Sequence, residues 1–103
     1  MTEQFRDIPG FEGIYMVSPS GRVLSLYTGK IRKPYKDKKC GYWRLSLLKD
    51  GKYYTIEVHR LVAMAWLEKP EGATEIDHID GNKDNNCVDN LEWVSHSENM
   101  QRS

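Results

Sequence analysis

The segment Asp77-His78-Ile79-Asp80-Gly81-Asn82-Lys83-Asp84-Asn85-Asn86 concentrates side chains able to do chemistry within a chain of 103 residues. Its carboxylates and amides are hard oxygen donors that suit a cation such as calcium or magnesium. His78 adds a ring whose ordinary pKa, near 6.5, lets it accept a proton from water around neutral pH. A calcium-loop reading fails on register. With Gly81 as the obligatory sixth residue, position one is Ile76, which cannot ligate. With Asp80 at position one, position twelve is Leu91, where a bidentate glutamate is needed. Phosphodiester hydrolysis remains within reach of these residue types. A histidine readies the water, and a cation held by a carboxylate and an amide oxygen binds the phosphate and the departing 3′ oxygen. The bland alternative keeps Asp80, Asn82, Asp84, Asn85 and Asn86 as turn formers and His78 as a surface histidine.

The charge distribution points to a partner. Residues 1–21 hold one base against three acids. Residues 22–60 hold eleven bases against three acids, and residues 61–103 hold three bases against nine acids, so a net charge of zero hides a strongly basic middle. Such a segment favours a polyanion. The acidic last third would repel that partner unless its carboxylates do something specific, such as holding a cation.

The elements that must position these residues follow from periodicity. Ile14 to Ser18 and Arg22 to Leu26 alternate around Pro19-Ser20-Gly21, which predicts a hairpin. Residues 30–41 are basic and loop-like. In Tyr42 to Lys49, Trp43, Leu45 and Leu47 share one face of a strand, and Asp50-Gly51 is a tight-turn signal leading to a partner strand over 53–57. Val58, Leu61, Val62, Ala65 and Trp66 then recur at helical spacing until Pro70 and Gly72. His59 opens that helix and is read as packing or capping. Short strands are expected over 75–79 and 91–94, flanking the polar loop. Ser95 with Glu98 has capping-box spacing for a last short helix. Neighbouring strand residues point to opposite faces, so Asp77 and His78 share a site only if the chain bends or leaves the strand there. Trp66 and Trp93 are assigned to the core.

Mean hydropathy is −0.69, and no apolar run approaches the ~18 residues of a membrane span. No signal-peptide pattern opens the chain. Two cysteines, Cys40 and Cys87, make neither a disulfide framework nor a zinc pair and are read as reduced thiols of a cytoplasmic protein.

Three stretches together carry a family likeness. Val58-His59-Arg60-Leu61-Val62-Ala63, Ile76-Asp77-His78-Ile79-Asp80-Gly81-Asn82-Lys83 and Asn90-Leu91-Glu92-Trp93-Val94-Ser95, with Glu98-Asn99, resemble the HNH domain of phage intron-encoded homing endonucleases. Ile8-Pro9-Gly10-Phe11-Glu12-Gly13-Ile14-Tyr15, continuing to Ser18, with Gly21-Arg22-Val23-Leu24-Ser25, resembles the module that often precedes it. The resemblance implies a ββα-metal unit. It implies Asp77 and Asn99 as ligands of one divalent cation, Mg²⁺ foremost with Mn²⁺ as the other choice. It implies His78 as general base and Asn90 as the residue that pins the loop and orients the histidine. The last position is Asn99 rather than histidine, an H-N-N form that weakens the case for softer metals. His96 is the alternative ligand.

The expected architecture is therefore α+β: a β-rich DNA-binding module over 1–56, then a helix and the HNH unit over 57–103. The expected activity is nicking of double-stranded DNA, with Arg32, Lys33, Lys36, Lys38, Lys39 and Arg44 on phosphates and Arg32 or Arg44 able to read guanine. The chain stops four residues after Asn99, which leaves a homodimer, a longer protein or low specificity as expectations. The competing readings are a non-catalytic DNA-binding module that kept the fold, and an interaction protein whose acidic loop binds a partner.

Overall fold

A computed structural model describes residues 3–95. Among them, nine strands form three antiparallel sheets around one α-helix. The mixed α+β architecture agrees with the sequence reading. The last helix expected from Ser95, with His96 and Asn99, lies outside the described residues. Among the described residues no helix is long and apolar enough to cross a membrane.

The first sheet orders β1 (Arg6–Asp7), β2 (Tyr15–Val17), β3 (Val23–Ser25) and β4 (Ile31–Arg32). The expected hairpin is its β2–β3 pair, with Val17 opposite Val23. Pro34 then separates β4 from β5 (Tyr35–Lys36), which opens the second sheet with β6 (Trp43–Lys49) and β7 (Lys52–Glu57). The basic stretch expected as loop thus carries two strands of two residues each, too short to show a period. At the β6–β7 turn Asp50 and Gly51 both have positive φ, 52° and 76°. That is the mirror-image turn which Asp-Gly favours. Leu45 and Leu47 are buried on one face of β6, as their alternation requires.

Helix α1 (Val58–Trp66) starts directly from β7 and ends near Leu67, ahead of Pro70. The expected stripe buries Val58, Leu61 and Val62, but His59 and Ala63 are buried too. The helix is enclosed on more than one side, because it contacts β2, β6 and β7 as well as the final hairpin. That hairpin pairs β8 (Glu75–His78) with β9 (Leu91–Val94), joined by the polar loop and a 3-10 turn over Val88–Asn90. One apolar cluster runs through all three sheets and the helix, from Ile8, Tyr15 and Val23 through Leu45 and Leu61 to Ile76 and Leu91.

The first and second sheets are also joined by polar contacts. The Tyr15 hydroxyl, in a residue 2% exposed, accepts from the Leu48 amide at 3.0 Å. Arg32 donates to the Ser46 carbonyl at 2.9 Å and approaches the Tyr15 hydroxyl at 3.4 Å.

Candidate active site

β8 ends at His78, and the chain turns away at once: the Gly81 amide donates to the His78 carbonyl at 2.8 Å. That exit reconciles strand alternation with a shared site. Asp77 and His78 both line an open cavity of about 590 Å³ together with Ile79, Asp80, Gly81 and Glu92. Glu92 sits directly across the hairpin from Asp77. Three carboxylates therefore surround one opening.

The loop between the strands is built from its own side chains. Asp80 accepts from the Asn82 amide at 2.7 Å, and the Asn82 side chain accepts from the Asp84 amide at 3.0 Å. Both are the side-chain-to-backbone turns expected of Asp and Asn. Asn90 ties the loop closed. Its amide nitrogen donates to Asp80 Oδ1 at 2.8 Å and to the Asn85 carbonyl at 3.0 Å, while its Oδ1 accepts from the Asp80 amide at 3.1 Å. The bond from Asn82 and then the Asn90 amide hold the Asp80 carboxyl below its ordinary range. Asn90 thus joins the start of the loop at Asp80 to its later part at Asn85. The side chain that touches the imidazole is a different one: His78 Nε2 lies 2.8 Å from Asn86 Oδ1.

His78 is 7% exposed, which excludes the surface-histidine reading. Its ring stacks on Tyr42 at 5.9 Å with planes 19° apart and meets His59 at 4.8 Å. His59 packs rather than caps, its ring also 4.8 Å from that of Tyr42. Burial, and then the proximity of His78, push the His59 pKa down to about 3, so it is neutral at physiological pH. No positive charge from His59 therefore sits beside His78.

The basic stretch has two kinds of residue. Arg32 is committed to Ser46 and Tyr15, as above. Arg44 pairs with Asp37 at 3.5 Å and reaches Cys40 Sγ at 3.7 Å. Both guanidinium groups have partners within the fold, in strands and turns that their alternation in sequence could not reveal. Lys36 donates to Asp84 Oδ1 at 2.9 Å, and the Trp43 indole donates to the same oxygen at 2.8 Å. Those two donors lower the Asp84 pKa. Lys83 in turn donates to the Cys40 carbonyl at 2.7 Å and sits over Tyr42. The β5–β6 hairpin therefore grips the loop from one side. Lys33, Lys38 and Lys39 are exposed.

Tyr42 and Asn86 were not legible as site residues. Tyr42 reaches His78 only through the packing of distant strands, and Asn86 is one of several Asn and Asp residues in a turn-rich loop. Glu92 had a usable signal, since pairing two strands around the loop places it opposite Asp77.

A family profile described as HNH endonuclease matches residues 57–101, and one described as NUMOD4 motif matches residues 3–48. The chain carries an HNH endonuclease domain preceded by a NUMOD4 motif. The DNA endonuclease I-HmuI of Bacillus phage SP01 is 46% identical over 98 residues, covering 95% of this chain and 56% of that protein. An uncharacterised HNH endonuclease of Acanthamoeba polyphaga mimivirus is 40% identical over 86 residues, covering 84% of this chain and 26% of that protein. A solved structure described as DNA binding and cleavage by the HNH homing endonuclease I-HmuI superposes with a TM-score of 0.86 at 45% identity. It covers 96% of this chain and 56% of that one. The chain thus spans little more than half the length of that phage protein, and less of the other.

HNH nucleases use a divalent metal ion, and the donors around the cavity fit one. Asp77, Asp80 and Glu92 are hard oxygen ligands, the kind that magnesium and manganese prefer. No His, Cys, Asp or Glu group among the described residues is tight enough to hold an ion alone.

Proposed function

We propose that this HNH chain is the DNA-cutting part of a metal-dependent endonuclease that hydrolyses phosphodiester bonds in double-stranded DNA. The observation that carries this reading is that Asp77 and His78 open onto one cavity at the end of β8. His78 accepts a proton from the water that attacks phosphorus. Asp77, with Asn99 beyond the described residues, would hold one divalent ion, Mg²⁺ foremost and Mn²⁺ as a substitute. When bound, that ion supplies positive charge to the phosphate and to the departing 3′ oxygen. Asn90 keeps the loop closed so that Asp77 and His78 keep their spacing. The products are a 5′ phosphate and a 3′ hydroxyl.

Lys33, Lys38 and Lys39 lie on the exposed basic stretch and serve as phosphate contacts. Lys36 contributes through Asp84 to the loop. One site of this kind cuts one strand, so a single chain nicks, and a double-strand cut needs a second copy.

Supercoiled plasmid DNA incubated with the protein and Mg²⁺ or Mn²⁺ tests the reading. Open circles should form, EDTA should stop their formation, and His78→Ala should abolish it while DNA binding at low salt persists. DNA binding with no cutting under any divalent ion would mean a non-catalytic module. No DNA binding at low salt would remove the nuclease reading altogether.

A further inference from the structure

Asn86 is 8% exposed, and among the described residues its side chain bonds His78. Several neighbours hold it in place. The Asn85 carbonyl just before it accepts from Asn90. The Val88 amide two residues on donates to the Pro19 carbonyl at 2.7 Å, in the turn between β2 and β3. Gly21 of that turn, at φ +93°, lies so close that a methyl group there would stand 3.5 Å from both Asn86 Cβ and its carbonyl oxygen. The amide of Asn86 is thus seated between the first sheet and the imidazole.

The chemistry of that contact is asymmetric. An amide Oδ1 has lone pairs and no hydrogen, so the imidazole nitrogen facing it must be the donor. A neutral imidazole carries one N–H, so a proton on Nε2 leaves the lone pair on Nδ1. Tyr42 and His59 against the ring limit its rotation. Asn90 cannot do this work, because its amide is committed to Asp80 and Asn85.

We propose that Asn86 is the positioning residue for His78: its Oδ1 keeps the proton on Nε2 and so presents Nδ1 as the atom that takes the proton from water. This rests on the reading of His78 as the base. It also gives the first sheet a part in the reaction, because the β2–β3 turn seats Asn86.

The test compares wild type, Asn86→Leu (near-equal shape, no acceptor), Asn86→Asp (acceptor kept) and His78→Ala, all as full chains. The imidazole nitrogens are read by ¹⁵N NMR in the metal-free protein above the titration range, and nicking of supercoiled plasmid with Mg²⁺ is read under single-turnover conditions. Wild type should show a protonated Nε2, a lone-pair Nδ1 and a slowly exchanging Nε2–H, all assigned by their absence in His78→Ala. Asn86→Leu should lose the slow proton and nick about tenfold to a hundredfold more slowly, with DNA affinity within about twofold of wild type. Asn86→Asp should restore both the slow proton and most of the rate. A proton on Nδ1 in wild type overturns the proposal. So does an Asn86→Leu protein that nicks at the wild-type rate, or equal slowing in the Leu and Asp variants, which would mean packing alone. If Asn86→Leu does not fold, the wild-type spectrum and the Asp variant decide. Nicking that survives His78→Ala would sink the base assignment, while the spectrum still judges the hydrogen bond.

Discussion

His59 makes the fold acid-sensitive in a way that can be calculated. Its pKa falls from 6.5 to about 3 because the ring is buried, 5% exposed, and lies against His78. In the unfolded chain the imidazole takes a proton near pH 6.5; in the folded protein it does not until the pH is far lower. Stability from this group is therefore complete above about pH 6.5 and is lost as the pH falls through that value toward 3. Each pH unit in that window costs about 1.4 kcal/mol, so about pH 5 removes about 2 kcal/mol relative to neutral solution. For a domain of this size that is a drop of about 1–2 M in the urea midpoint. His59→Leu removes the titrating group and the Nδ1 that is buried without a partner. Urea melts of both proteins at about pH 7.5 and about pH 5 isolate the effect. The carboxylates and His78 are common to both, so the difference between the two pH dependences belongs to His59. The Leu variant should lose about 2 kcal/mol less on acidification than wild type. Equal losses would refute the burial argument and put a charged ring beside His78.

Four further outcomes follow from the structure. Gly21→Ala forces a side chain into φ +93° with its Cβ 3.2 Å from Val58 Cγ1, and should cost about 1–3 kcal/mol in urea unfolding; an unchanged midpoint would mean the turn relaxes freely. Lys33→Ala, Lys38→Ala and Lys39→Ala should each lower the slope of log affinity against log salt by about one on duplex DNA. Arg32→Ala should leave that slope unchanged and lower stability by about 1–3 kcal/mol, because its guanidinium bonds Ser46; a changed slope would return Arg32 to the DNA. Asp84→Ala should slow nicking with little change in DNA binding, since Trp43 and Lys36 would release the loop; an unchanged rate would show that the grip is dispensable.

What could be read in advance depended on the range of the interaction. The β6–β7 hairpin was legible because Asp50-Gly51 and the alternation of Leu45 and Leu47 are local signals. The span of α1 followed from its apolar spacing, and β9 from Leu91 to Val94 between turn residues. The pairings of β1, β4 and β5 were invisible, because two-residue strands carry no period. The same limit applied at the site. Asp77 and His78 stood out by residue type, Asn90 through the family resemblance, and the loop chemistry of Asp80 and Asn82 is local. Tyr42 under the imidazole, and Arg32 and Arg44 folded inward, depend on chain segments that meet only in three dimensions. Asn86 was placed correctly in a loop but not recognised as the partner of His78, because Asn in a turn-rich segment has a sufficient local use already.

The most direct measurement is a crystal structure of the full chain on duplex DNA with Mn²⁺, whose anomalous signal locates the ion independently of the protein. The account expects the ion within about 2.0–2.6 Å of the Asp77 carboxylate and the Asn99 amide oxygen, on a backbone phosphate, with the His78 ring facing the water beside it. An ion seated away from Asp77, or a His78 that stays walled off from the phosphate, would contradict it.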